Sequence, residues 1–180
     1  MTTQPRVLKG AGTVADETDW ESIYREYLPR VYNFFRYRLS DDSLVKDLTA
    51  ATFEKAWRSR ERFQRDLSSF STWLFTIARN VAVDHFRRNG RELPLDAARE
   101  QADPISLEEL IQQKQDSTRL RFLLSRLPAR ERELLAFKYG AGLNNREIAH
   151  LAKLSESNVG TILHRVVEKL RVEMEANHER

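Results

Sequence analysis

Residues 144–171 read NNREIAHLAKLSESNVGTILHRVVEKLR, and this stretch decides the fold. Asn144 with Glu147 three residues on forms a capping box, opening a short helix through Ile148, Ala149, Leu151 and Ala152. Lys153-Leu-Ser155 then reads as a turn, with Ser155 placed to cap a longer helix. In that helix Val159, Ile162, Leu163, Val166, Val167 and Leu170 recur at three- and four-residue steps. Two helices joined by a three-residue turn make a helix-turn-helix, whose second helix can enter a DNA major groove. Its first turn would present Ser157, Asn158 and Thr161 to base edges, with Arg165 and Lys169 further along at phosphate. A plain αα-hairpin with a solvated polar face is the competing reading.

The same periodicity extends upstream. Trp20, Ile23, Tyr24, Tyr27, Leu28, Val31, Phe34 and Phe35 trace one apolar stripe, which Pro29 is expected to kink or divide. Asp41, Asp42 and Ser43 open a second helix through Leu44, Val45, Leu48, Thr52, Phe53, Ala56 and Trp57. A polar loop with Phe63 and Phe70 leads to a third helix over about 71–88, built on Trp73, Leu74, Ile77, Ala78 and Val81 and stopped by Gly90. Opposite that stripe lie Thr76, Arg79, Asn80, Val83, Asp84 and Arg87, with Arg88 beside them. Asn and Arg suit base edges and phosphate, although basic residues near a helix C-terminus also satisfy its dipole. Residues 91–105 contain Pro94 and Pro104 and read as a linker; Ser106 with Glu109 forms a capping box that can start a further helix. Leu120, Leu123, Leu124 and Leu127 form another stripe before Pro128, and Arg130 to Tyr139 a last one, ending at Gly140 or Gly142. No segment alternates with period two, so the chain is expected to be all-α.

The 180 residues hold 30 Lys plus Arg, 27 Asp plus Glu and no Cys. Lack of Cys removes disulfides, Cys-ligated zinc, iron–sulfur clusters and thiol catalysis. No stretch reaches the roughly 18 apolar residues of a membrane span, and the first residues hold no signal-peptide core, so a cytoplasmic setting without membrane insertion is expected. Charge is segregated: residues 20–90 carry net +4, 91–116 net −4 and 117–180 net +4. Two basic lobes around an acidic connector suit a two-part polyanion binder.

Enzyme signatures are missing. There is no Gly-x-Ser-x-Gly or Walker loop, and Gly140-Ala-Gly142 lacks the third glycine of a dinucleotide fingerprint because Asn145 stands there. Asp84 and His85 are helix neighbours that point apart, and His85, His150, His164 and His178 lack metal-ligand spacing. No catalytic residue, cofactor or metal is expected.

Two blocks resemble, in order, the conserved regions of the sigma-70 family in its short extracytoplasmic-function form. Asp47-Leu-Thr-Ala-Ala-Thr-Phe-Glu-Lys-Ala-Trp57 is similar to the region 2.2 helix, and Phe70-Ser-Thr-Trp-Leu-Phe-Thr-Ile-Ala-Arg-Asn-Val-Ala-Val-Asp-His-Phe-Arg-Arg88 to regions 2.3 and 2.4. Leu127-Pro-Ala-Arg-Glu-Arg-Glu and the helix-turn-helix resemble region 4. The resemblance implies two small helical domains, a region 2-like bundle at 19–90 and a region 4-like helix-turn-helix at 117–175. An acidic linker at 91–116 joins them, with tails at 1–18 and 176–180.

It further implies a transcription initiation factor that binds core RNA polymerase, at its clamp helices and flap, and directs it to promoter DNA. Region 2 would recognise and open the −10 element, and region 4 would bind the −35 element. Asp47, Leu48, Thr52, Phe53 and Trp57 fall at the polymerase-binding positions. The loop from Gln64 to Ser69 falls where a flipped promoter base is captured, and Arg79, Asn80, Asp84, Arg87 and Arg88 fall on the −10-facing helix. An anti-sigma factor, unidentified, is the family's usual partner.

The chain also departs from the family pattern. Ala50 and Ala51 replace a polar pair in the clamp helix, and Lys153 stands where the turn usually has Gly, in a left-handed position. Gly160 and Ile162 replace basic residues of the recognition helix, shifting the −35 contacts toward Asn158, Thr161 and Arg165. An ordinary helix-turn-helix repressor or activator is the alternative, but it would need a two-fold dimer, and no sustained heptad supports one. The 26-residue linker spans about 28 Å as a relaxed coil and at most about 90 Å extended. Promoter elements roughly 50–70 Å apart therefore require it to be held extended.

Overall fold

The computed structural model describes residues 20–63, 69–89 and 117–176. The expectations for the tail at 1–18, Gln64, Gly90, the linker at 91–116 and the capping box at Ser106 lie outside these residues. Seven helices and no strand occur among the described residues: α1 (Trp20–Arg36), α2 (Asp42–Arg58), α3 (Phe70–Asn89), α4 (117–125), α5 (Ala129–Leu135), α6 (Asn145–Ala152) and α7 (Glu156–Glu175). A 3₁₀ turn, Arg60–Arg62, follows α2, and α5 continues into a π-helical turn over Ala136–Gly140. None of the described helices is long and apolar enough to cross a membrane.

Local chemistry sets most boundaries. Asp41 caps α2, its carboxylate accepting from the Ser43 and Leu44 N–H groups at 2.9 and 3.2 Å. Of the two outcomes expected at Pro29, a kink or a division, α1 is not divided: the helix runs through it as one element. Pro29 is exposed, so the Arg25 carbonyl left without a helix donor faces solvent. The last apolar run ends at Gly140, as expected, with a π turn keeping the chain helical to that residue. There the Ala141 N–H reaches Ala136 O at 2.8 Å, five residues back. Gly142 then supplies the turn, with φ 66°. The buried Arg132 donates to the Leu127 and Ser125 carbonyls at 3.0 and 3.4 Å, satisfying backbone groups left free beyond α4.

α1, α2 and α3 pack as one bundle, and α4 to α7 as a second. The two are not separate in this structure. α1 lies against the π turn and α3 against α6, so the buried side chains of both lobes form one continuous core. Phe34 and Phe137 stack across the seam at 4.9 Å between ring centroids. Gly140 permits this approach: a Cβ there would stand 2.9 Å from the backbone C and O of Asn33 and from the N of Phe34.

Candidate nucleic-acid interface

The second lobe presents the helix-turn-helix. Asn144 Oδ1 accepts from the Glu147 N–H at 2.9 Å, and Glu147 Oε2 accepts from the Asn144 N–H at 3.0 Å, closing the capping box that starts α6. α6 ends at Lys153, which adopts the left-handed conformation at φ 54°, ψ 51°, as its position in the turn foretold. A lysine there accepts a backbone cost that glycine avoids. Ser155 caps α7 by accepting from the Asn158 N–H at 3.2 Å.

Val159, Leu163, Val166 and Leu170 anchor α7 in the core. The opposite face leaves Ser157, Asn158, Thr161, Arg165 and Lys169 exposed. Two of these carry internal attachments: the Thr161 hydroxyl donates to Ser157 O at 3.0 Å, and Arg165 pairs with Glu131 at 2.8 Å. Gly160 is not required by packing. A Cβ would meet Asn145 Nδ2 at 3.5 Å, ordinary van der Waals contact.

The polar stripe of α3 is differently placed. Asn80, Arg87 and Arg88 are exposed, while Asp84 accepts from Lys55 of α2 at 3.3 Å and from Arg87 at 3.2 Å. Arg79 is half-buried and turned toward the other lobe, donating through Nε to Glu133 Oε1 at 3.1 Å and through Nη1 to Leu151 O at 3.3 Å. The Ser69 hydroxyl lies 3.0 Å from Glu147 Oε1, which also accepts from Ser71. Burial would raise the Glu147 pKa. Hydrogen bonds from Ser71, the Asn144 N–H and Ser69, with the Arg30 charge, outweigh it and hold the carboxyl below its ordinary range. Next to Ser69, Phe70 and Trp73 pack with Phe63, at 5.4 and 5.2 Å from its ring, so Trp73 is half-buried among aromatic side chains.

On α2 the five predicted polymerase positions separate by burial. Leu48, Thr52 and Phe53 are buried, with the Thr52 hydroxyl donating to Leu48 O at 2.7 Å and Tyr24 edge-on to Phe53 at 4.8 Å. Asp47 and Trp57 are exposed, and the Arg60 guanidinium lies 4.1 Å over the Trp57 ring. An accessible face thus exists at Asp47 and Trp57, while the other three hold the helix in place.

Sequence reasoning missed the residues that bind the lobes together: Glu133, Arg38, Arg30, Gly140 and the second role of Glu147. Arg30 Nε donates to Ala141 O at 2.7 Å, and Arg38 Nη1 lies 3.5 Å from Glu133 Oε1. Of these, only Gly140 stood out in the sequence, and a glycine ending an apolar helical run signals a helix stop, not the close approach to α1 it makes here.

Comparison with known proteins accords with this arrangement. Residues 23–92 match the model of Sigma-70 region 2, and residues 123–172 that of Sigma-70, region 4. The chain is 28% identical over 161 residues to the ECF RNA polymerase sigma factor SigM of Bacillus subtilis, covering 84% of this chain and 92% of that one. It is 29% identical over 163 residues to the RNA polymerase sigma factor YlaC of the same organism, covering 88% and 94%. Among solved structures, the sigma factor RpoE in complex with the anti-sigma factor NepR from Bartonella quintana superposes with a TM-score of 0.71. At 23% identity, over 88% of this chain and 98% of that one, it is similar in fold.

Proposed function

The chain belongs to the sigma-70 family and is a non-enzymatic, promoter-directing sigma factor for RNA polymerase, and from that premise we propose how its two lobes divide the work. The α4–α7 lobe reads the −35 element as duplex, through Ser157, Asn158 and Thr161 at the start of α7, with Arg165 and Lys169 toward phosphate. The α1–α3 lobe recognises and opens the −10 element, through Arg79, Asn80, Asp84, Arg87 and Arg88 on α3 and the loop from Gln64 to Ser69. Asp47 and Trp57 on α2 meet the clamp helices of core polymerase, while Leu48, Thr52 and Phe53 keep that surface rigid; the second lobe meets the flap. The protein acts in the cytoplasm, where its polymerase and promoters are, and is held in check by an anti-sigma factor, the kind of partner named for its structural neighbour.

The observation carrying this division is the exposure of Ser157, Asn158 and Thr161 together at the capped start of α7, inside the segment matched to region 4. Capping leaves the first turn rigid, and side chains there are the ones a groove-bound helix presents to base edges. The test is transcription in vitro with core polymerase on single-base promoter libraries. Asn158→Ala should change preference at −35 positions alone, and Asn80→Ala should change −10 recognition or opening alone. Crossed effects would refute the assignment.

A further inference from the structure

Arg38 follows α1, and its side chain enters the core: only 5% of the residue is exposed. Its guanidinium carbon stands 5.2 Å from the centre of the Phe34 ring, so an aromatic side chain covers one face of the group. The edges are less well served. Nε and Nη1 are removed from solvent and have no hydrogen-bond acceptor among the described residues. Glu133 Oε1 comes within 3.5 Å of Nη1, but both oxygens of that carboxylate already accept from Arg79, at 3.1 and 3.4 Å. Arg132, also buried, commits Nη2 to two carbonyls beyond α4, and its own Nε and Nη1 lack acceptors in the same way.

Charge is unbalanced at the same place. Burial pushes the Arg38 pKa below its ordinary value; Glu133 opposes that shift, while the charges of Arg79 and Arg132 add to it. Three guanidinium groups thus share one carboxylate among the described residues. A guanidinium does not lose its proton in a protein, so its charge stays and calls for a counter-charge. A buried water would satisfy the N–H groups and leave the charge as it is. An anion answers both needs. Burial also sets its size, because a side chain so enclosed is closed to a DNA strand and open to an ion that diffuses in alone.

We propose that Arg38 is the centre of a binding site for a small inorganic anion of chloride type, held at the Nε that no side chain accepts from, with Arg79 and Arg132 adding to its field. The ion is a structural ligand of the folded chain, and the site does not depend on how the two lobes divide the promoter.

Urea denaturation of the full chain, followed by circular dichroism, tests this at constant ionic strength as sodium gluconate is replaced by sodium chloride. A site in the folded chain half-filled at about 20 mM chloride lowers the unfolding constant about tenfold at roughly 200 mM. Arg38→Met keeps a side chain of similar length without its charge, a replacement that buried ion pairs commonly tolerate, and should abolish that dependence. Glu133→Gln removes the competing carboxylate and should lower the chloride concentration that gives half the effect. Independently of any variant, bromide soaked into crystals of the parental chain should give an anomalous-scattering peak within hydrogen-bond distance of Arg38 Nε. Equal chloride dependence in the parent and in Arg38→Met would overturn the site. So would a water in place of bromide at Arg38, or a gain with phosphate, lost in Arg38→Met, where chloride gives none.

Discussion

The polar faces of α7 and α3 differ in what surrounds them, although both lie opposite an apolar stripe on a 20-residue helix. On α7 the supporting contacts come from its own lobe: Ser155 caps the helix, Thr161 bonds one turn back, and Arg165 leans on Glu131. On α3 the support is divided: Lys55 of α2 and Arg87 hold Asp84 within the lobe, while Glu133 of the other lobe holds Arg79. The polar face of α7 is thus held within one lobe, and that of α3 partly across the seam. Two helices of equal length thus differ in what fixes their polar faces.

The largest expected effect tests whether the two faces share one folding unit. Phe137→Ala removes half of the stacked pair at the centre of the common core, and a buried Phe→Ala change costs about 3–5 kcal/mol. Chemical denaturation followed by circular dichroism should show the whole chain losing stability in one transition. A transition that splits, with one lobe unaffected, would make the lobes independent and break the comparison.

A smaller effect sharpens the α7 side. Asn158→Ala should weaken the preference for one −35 base pair by roughly 1–3 kcal/mol if the amide contacts it in bidentate fashion. Binding competition between promoter variants, with polymerase present, measures it. Arg165→Ala should instead lower affinity evenly over sequence, by less than a free arginine would, because Glu131 already neutralises part of its charge.

The third prediction uses pH at the seam. Because the Glu147 carboxyl sits below its ordinary value near 4.5 in the folded chain, its ionised form favours that state. The contribution is fully present above the ordinary carboxylate value and is lost as pH falls through the lower, folded value. Stability, followed by circular dichroism in denaturant, should thus hold steady from pH 7 to 5 with respect to this group and fall only in stronger acid. Ser71→Ala, which removes a donor to Glu147, should move the onset of that fall upward. A fall already complete at pH 5 in the parental chain would contradict the assignment.

The smallest effect concerns Gly160 on α7. Mid-helix glycine costs about 0.5–1 kcal/mol relative to alanine, and the added Cβ meets only ordinary contact with Asn145. Gly160→Ala should therefore raise stability by about that amount, read as a higher denaturation midpoint. A loss of stability would mean that α7 packs more tightly there than its spacing indicates.

What the sequence disclosed follows from the range of the interactions. Caps are local, so Asp41, the Asn144–Glu147 pair and Ser155 could be read from residues two or three positions apart, and all three cap as expected. The left-handed Lys153 was legible only through the family resemblance, which places it where the turn usually has Gly. The seam was not legible. Glu133 and Arg38 look like ordinary charges on amphipathic helices, and their partners lie 54 or more residues away in sequence. Apolar spacing identified Phe34 and Phe137 as inward-facing without saying that they face each other. Pro29 shows the same limit: its position gives a kink or a division without choosing, and α1 runs on undivided with Pro29 exposed. Thr52 and Leu48 show the same limit on α2, where an apolar stripe and a contact face share one motif and only burial separates them.

The π turn at Ala136–Gly140 has a further consequence, in the currency of chain length. A π turn holds one residue more than the α turn it replaces, and each helical residue advances the chain by about 1.5 Å and turns it through about 100°. Deleting one residue between Ala136 and Tyr139 would let the turn tighten into ordinary α-helix with its hydrogen bonding kept. Because the wider turn covers about the same rotation with one residue more, Gly140 would keep its bearing on α1, whereas the same deletion within ordinary α-helix would turn it through about 100°. The π turn is thus a place where this helix can lose a residue and still present the same face to α1.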